Sequence, residues 1–447
     1  MTNEEKYELL AEGETLIPSG MGVIPSDKVY KFSEQQIEKS LSSAKDFKLI
    51  SFSEMRDIPD FAYLALDAKI AYQGHDYDVE LLVIRTENLN LKDFGFANQI
   101  SEDELNIALD QEYYLEVSMF FGDSPLSSFH LQLKILLAIV PDASLIIDFV
   151  SVRLLSAKWG RMAAKSSTPP SPDYLYALHA VYDGDDDENR LYWFHTHGLL
   201  RCGSVELELM NIKNGARQMN DLITMVVKKF INDPVAENEK FVIGYDGLGI
   251  NLSWLRWEEA LKDFPSKILG GKEDRKGEGN IHAEPSGVLF AVEDNNLISP
   301  EIYVTTLADN PIYYISNEET ERMSALAKER FVYFKETFRK KGKTAKKGFF
   351  QKLFGKKQQD EESWTFLAKF GLQVDHLDSE TEKEHLWFEV ISITGDDAIE
   401  GKLLNQPYWI SGLNKDEIKV YPISLLTDWL IYAPESTYST DTIYQLL

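Results

Sequence analysis

The segment Trp193-Phe-His-Thr-His-Gly-Leu-Leu-Arg-Cys-Gly203 concentrates the residue types best suited to chemistry in this chain. His195 and His197 stand two apart, so on a strand their imidazoles share one face. Two neutral imidazoles can grip one metal ion. Cys202, beyond the turn at Gly198, with Glu206 or Glu208 on the next strand, would complete a site for zinc. A zinc ion held this way would lower the pKa of a bound water and so support hydrolysis. The plainer reading makes His195 and His197 half-buried strand residues, hydrogen-bonded near the acidic turn Asp185 to Glu188, with Cys202 as a small hydrophobe.

Other patterns carry less. Gly244-Tyr-Asp-Gly-Leu-Gly249 is flanked by strand-like residues on both sides, so it lacks the following helix end that cradles phosphate, and a hairpin turn explains it. Paired acids such as Asp185 and Asp186 lie in a charged turn exposed to water. No Gly-x-Ser-x-Gly elbow and no phosphate-binding loop appears.

The elements around the histidines read as strands over 174–182, 191–197 and 205–212. A helix over 216–231, strands over 241–245 and 249–254, an exposed glycine-rich excursion over 269–278 and a strand over 287–293 follow. Asn317 with Glu318 and Glu319 opens a helix running to about Arg339. Upstream, Ser33 with Glu34 and Gln36 opens an amphipathic helix. Strands over 62–72 and 77–85 flank Gly74, and Pro125 introduces a buried helix over 127–140. This order predicts helices on one face of a mostly antiparallel sheet, loosely ferredoxin-like. Tyr63-Leu-Ala-Leu-Asp-Ala before Gly74 echoes Tyr174-Leu-Tyr-Ala-Leu-His-Ala before Gly184. Duplication of one fold would explain this, and so would two ordinary hairpins of common strand residues.

The chain has 447 residues, with 44% hydrophobic and 12% aromatic residues, enough to bury several cores. Its formal charge of −27 repels phosphate backbones, which excludes nucleic acid as a general partner. The single cysteine excludes an intrachain disulfide and suits a reducing, cytoplasmic setting. The acidic N-terminus lacks the order of a secretory signal, and Lys134 interrupts the longest apolar stretch, so neither export nor a transmembrane segment is expected.

Ser166-Ser-Thr-Pro-Pro-Ser-Pro172 reads as a linker. A second linker, 339–362, is basic from Arg339 to Lys357. Within it Phe349, Phe350, Leu353 and Phe354 would share one face of a helix flanked by Lys346, Lys347 and Lys352. That pattern suits weak peripheral membrane contact through 346–357 or an acidic partner, and equally a solubilising linker whose aromatics dock on a neighbouring domain.

Beyond it, short alternating strands around Glu384–Ile393, Glu400–Asn405 and Glu417–Tyr421 suggest a small barrel or half-barrel. Glu384, Trp387 and Val390, then Gly401-Lys-Leu-Leu-Asn-Gln-Pro407, then Ile423, Asp428 and Trp429, resemble a small bacterial domain of unknown function. In it an aromatic strand, a Gly-x-(Ile/Leu)-x-Asn-x-Pro turn and a terminal Asp-Trp recur in this order. The resemblance covers the last fifth of the chain and implies a bacterial cytoplasmic protein without supplying a reaction. Trp409 and Asn414 depart from the glycine-rich turn expected after Pro407, while Gly401, Asn405 and Pro407 read as turn formers. The histidine segment is also similar to zinc isopeptidases of the JAMM type, whose His-x-His is followed by a spaced Asp where Glu208 stands here. Gly198 replaces that family's proline, Glu replaces Asp, and no catalytic glutamate precedes the motif.

The sequence therefore predicts an α+β protein of two sheet domains, 1–160 and 173–338, a basic linker over 339–362 and a β-rich barrel-like domain over 363–447. Its first functional reading is a non-catalytic protein-binding or scaffold protein with no cofactor and a protein partner of basic character. An immunity protein that neutralises a competitor's toxin is one version of it, by analogy. The alternative is a metal-dependent hydrolase with His195, His197, Cys202 and Glu208 around zinc.

Overall fold

The computed structural model describes residues 1–184, 190–245, 248–309, 317–342, 364–375, 383–395 and 397–447. They form two compact units, 1–164 with 170–314 and 165–169 with 315–447.

The first unit opens with α1 (Asn3–Ala11), whose N-cap Thr2 makes a capping box with Glu5. Its first sheet comprises β1 (Ser19–Pro25), β2 (Lys48–Glu54), β3 (Ala62–Tyr72), β4 (His75–Arg85), β5 (Gly95–Phe96), β6 (Tyr113–Met119), β7 (Ala143–Asp148) and β8 (Arg153–Ser156), in the order β2-β3-β4-β6-β1-β7-β8-β5. All its pairs are antiparallel except β5 with β8. The helices are α2 (Glu34–Ser43), α3 (Glu102–Leu109), α4 (Pro125–Ile139) and α5 (Ala157–Lys165). Ser33 caps α2 by accepting the Gln36 amide, and Pro125 takes the first turn of α4, where its missing N–H costs nothing. The sheet is covered on both faces, not on one. A Cβ built at Gly160 of α5 would meet Leu137 of α4 and Ile146 of β7, whereas Ala108 of α3 packs with Leu145 and Ile147, which point the other way.

The second sheet of this unit runs β12-β13-β14-β11-β10-β9, with β15 beside β14. Its strands are β9 (Ala177–Asp183), β10 (Leu191–His197), β11 (Glu206–Ile212), β12 (Phe241–Tyr245), β13 (Leu248–Arg256), β14 (Ser286–Glu293) and β15 (Asn296–Ile298). Helices α6 (Ala216–Asn232), α7 (Trp257–Ala260) and α8 (Val304–Asp309) accompany them. The echo in the sequence corresponds to a shared start: the hairpins β3–β4 and β9–β10 each lead to an antiparallel third strand, β6 or β11, and then a helix. They then diverge, because the far neighbour of β6 is antiparallel β1 and that of β11 is parallel β14.

The two sheets share a buried ion pair. Arg201, after β10, holds Asp148 of β7 through paired bonds of 2.9 and 2.8 Å, both residues being fully buried. Ser19 Oγ and the Leu175 carbonyl accept the second protons of Nη1 and Nη2 at 3.1 and 2.7 Å. The pair joins two sheets that were expected as separate domains and that lie in one compact unit.

The C-terminal unit contains α9 (Asn317–Glu329) and α10 (Phe331–Lys341), separated by buried Arg330, where one continuous helix was expected. Residues 165–169, which include the start of the linker expected over 166–172, belong here: Ser166 Oγ and the Ser167 amide donate to Glu329. The sheet is β16 (Thr365–Gln373), β17 (Lys383–Thr394), β18 (Ala398–Leu403), β19 (Ile418–Pro422), β20 (Leu426–Tyr432) and β21 (Thr437–Ser439). Its order β19-β18-β17-β16-β20-β21 leaves two edges, so it is an open antiparallel sheet and not the expected barrel. Phe334 of α10 packs on Phe366 and Trp429, and the Trp429 indole donates to the Ala327 carbonyl at 3.0 Å. That helical cover buries one face of the sheet without any need for closure. Gly401 is not a turn former: it lies within β18, where a Cβ would come within 2.9 Å of the Phe388 Cβ.

No described helix is long and apolar enough to cross a membrane. The segment 346–357, with Lys346, Lys347, Phe349, Phe350, Lys352, Leu353 and Phe354, lies outside the described residues, as does the turn over 185–189.

Candidate functional site

Alternation along β10 puts Trp193, His195 and His197 on one face. The antiparallel register pairs His195 with His179 of β9 on one side and Glu208 of β11 on the other. A third imidazole arrives from the long connection between α7 and β14. His282 sits in a short 3-10 turn, Ile281–Ala283, and Asn280 fixes that turn by accepting the His282 amide at 3.0 Å.

His195, His197 and His282 each present a ring nitrogen within 4.8 Å of the other two. Their ring centroids lie 4.9 Å apart for His195–His197, 4.9 Å for His195–His282 and 5.3 Å for His197–His282. His179 stacks on His195 at 5.2 Å, so half of the chain's 8 histidines meet on this face. A cavity of about 10 Å³ opens among them, lined also by Trp193, Glu206, Glu208 and Glu284. That is about the space one ion or water needs.

Electrostatics keep the rings neutral. Burial, reinforced by the neighbouring imidazoles, depresses the pKa of His195 to about 2 and that of His197 to about 3. His282 is lowered too, by burial first. Neutral imidazole is the form that ligates metals. His195 is 4% exposed, and its Nδ1 has no hydrogen-bond partner among the described residues. A buried orphan of this kind is uncommon and needs an explanation.

The structure separates the other sequence-predicted residues from the imidazoles by giving them different work. Glu208 accepts both bonds of Arg275 Nη2 at 2.9 and 2.7 Å, the Trp193 indole N–H at 2.7 Å and the Ser286 hydroxyl. Its oxygens are occupied. Glu206 accepts the Thr196 hydroxyl at 2.6 Å and the amides of Gly198, Leu199 and Leu200, which close the turn after β10. Cys202 is buried, with Sγ directed at the Gly198 carbonyl at 3.7 Å, and burial pushes its thiol up to about 12. Glu284 pairs with Lys6 of α1.

Gly198 has φ +124°, a conformation closed to proline, whose ring fixes φ near −65°. The backbone at this position is therefore one that the proline expected from the isopeptidase resemblance would not fit. Arg275 is the residue that seats His282: its Nη1 donates to the His282 carbonyl at 2.6 Å while Nε donates to the Gly270 carbonyl at 2.9 Å. Neither His282 nor Arg275 stood out in the sequence: Arg275 falls in the expected exposed excursion over 269–278, and His282 in the connection between it and the next expected strand.

Residues 19–170 match a family model described as protein of unknown function (DUF4026) N-terminal, and residues 178–290 match its C-terminal counterpart. Residues 321–447 match an uncharacterized protein conserved in bacteria (DUF2314), which covers the Gly401 to Pro407 and Asp428-Trp429 motifs. His179, His195, His197 and His282 all fall inside the second match. No curated protein and no solved structure matches the chain.

Proposed function

We propose that this chain, which joins both DUF4026 segments to a DUF2314 domain, is a non-catalytic binding protein whose ligand is a borderline transition-metal ion, zinc or a close relative, held by His195, His197 and His282. The observation that carries the reading is the convergence of two buried imidazoles and one half-buried one, all held neutral, on one ion-sized cavity, with His195 Nδ1 unpartnered among the described residues. An all-nitrogen donor set favours zinc, nickel or copper(II) over magnesium or calcium, which prefer oxygen. Zinc ligated at about 2.1 Å draws its donors to about 3.4 Å apart, so the rings move inward on binding. A hydrolase reading finds less support. Glu206 and Glu208 are fully engaged, which leaves neither free to act as general base.

The test is a cobalt(II) and zinc titration of the full chain. One equivalent should bind, with visible cobalt bands of imidazole ligation that disappear in His195→Ala and in His282→Ala. Fewer than a tenth of an equivalent bound by the wild type would overturn the reading. A protein partner of basic character is the second reading, favoured by the formal charge of −27, which would steer such a partner inward. A stoichiometric basic companion, released by salt, should then co-purify with the chain.

A further inference from the structure

Helix α1 is docked on the stretch of chain that follows His282. Asn3, Lys6 and Tyr7 stand at i, i+3 and i+4, so they share one face of that helix. Each meets a residue of the stretch 283–286. Asn3 Nδ2 donates to the Ala283 carbonyl at 2.8 Å, and Lys6 pairs with Glu284. The Tyr7 hydroxyl donates to the Ser286 carbonyl at 2.8 Å and accepts the Ser286 amide at 3.0 Å. Asn3 Nδ2 also donates to Glu258 of α7 at 2.8 Å, an anchor that does not involve Glu284.

Glu284 differs from its neighbours in that it also lines the cavity between the imidazoles. Its Oε2 accepts from Lys6, while Oε1 has no hydrogen-bond partner among the described residues. It is not one of the three side chains that already meet within 4.8 Å, and Lys6 holds it at the edge of the site. Three neutral imidazoles bring no negative charge to a dication, and a charge in a buried site needs a counter-charge. The other carboxylates that line the cavity are spent, Glu208 on Arg275 and Glu206 on the turn amides. Glu284 is held only by a half-buried lysine, and partly exposed ion pairs of this kind are weak enough to give up.

We propose that Glu284 is the fourth ligand of the metal and that Lys6 of α1 competes for it, so that occupancy of the site governs how tightly α1 is docked. This rests on the histidine site proposed above. Three imidazoles and one carboxylate oxygen make the closed tetrahedral shell of a structural zinc site, with no position left for a reacting water. Ligation draws Glu284 from Lys6 toward the ion, and the ammonium and the dication repel each other across the carboxylate. The coupling is reciprocal: removing Lys6 tightens metal binding, and metal binding weakens the hold of Lys6 on Glu284.

Zinc affinity of the full chain, measured by competition with a chelator, tests this. Glu284→Gln should weaken binding at least about tenfold. Lys6→Met should tighten it about threefold, the size of a partly exposed ion pair. Lys28→Met, which removes the same charge from the exposed pair with Asp110, should leave it unchanged. Azide should not alter the cobalt(II) bands of the wild type and should shift those of Glu284→Gln, whose fourth position it opens. Zinc should speed hydrogen exchange of the α1 amides in the wild type and not in Glu284→Gln. Lys6 and Glu284 are both partly exposed, so neither substitution leaves a buried void. A wild type that binds no zinc removes the histidine reading and this inference together. One bound equivalent with undiminished affinity in Glu284→Gln, no tightening in Lys6→Met beyond the Lys28 control, or an azide shift in the wild type would overturn this inference alone.

Discussion

Replacing Arg275 with leucine should both loosen the second sheet and dismantle the histidine site. Arg275 and Glu208 are 5% and 2% exposed, and the guanidinium supplies two of the carboxylate's four bonds. Removing one member of a buried pair typically costs about 3–5 kcal/mol, because the other charge remains buried without compensation. The Trp193 indole and Ser286 hydroxyl stay on Glu208, which places the cost near the lower end, about 3 kcal/mol. The chain has two units, so a single global transition would blur this cost. Hydrogen exchange of the β10 and β11 amides reads the first unit directly, and about 3 kcal/mol there accelerates exchange by about a hundredfold. The same substitution frees the His282 carbonyl and so should weaken zinc binding. Pairing it with Glu208→Leu removes both charges, and the double variant should recover at least half of the loss. If Arg275→Leu exchanged within about threefold of the wild type, or if the double variant cost the sum of the single changes, the pair would not be holding the sheet.

Two further predictions concern single groups. Cys202 should resist thiol reagents in the native chain at pH 8 and react at once in denaturant, because burial raises its pKa to about 12; rapid native labelling would contradict that burial. Asp428→Asn should stabilise the C-terminal unit by about 3 kcal/mol at pH 7 and by almost nothing near pH 3.5. Burial raises this carboxyl from 3.8 to about 6, so the folded state binds the extra proton between those values. Stability is lost as pH climbs through that window and stays lost above it. Thermal unfolding of both proteins at the two pH values checks this, and a gain independent of pH would count against it.

Periodicity made many individual elements legible. The residues over 191–197 and 205–212 marked two strands, and Pro125 and the capping residue Ser33 marked helix starts, because these signals act over a few neighbouring residues. The pairing of His195 with His197 was equally local. Their shared face follows from the two-residue strand repeat alone.

What the sequence could not supply lies at long separation. Arg201 reads as one basic residue in a turn, and only the folded chain reveals that Asp148 neutralises it and binds two sheets into one unit. The open C-terminal sheet depends on α10 covering it, and short strands with tight turns do not distinguish that from closure. Glu208 looks like a ligand at the right spacing until Arg275, 67 residues away, claims it. His282 looks like a loop residue until the same arginine seats it beside β10. Local chemistry sets which groups a strand presents, whereas tertiary contacts decide which of those groups are already spent and which remain free to bind.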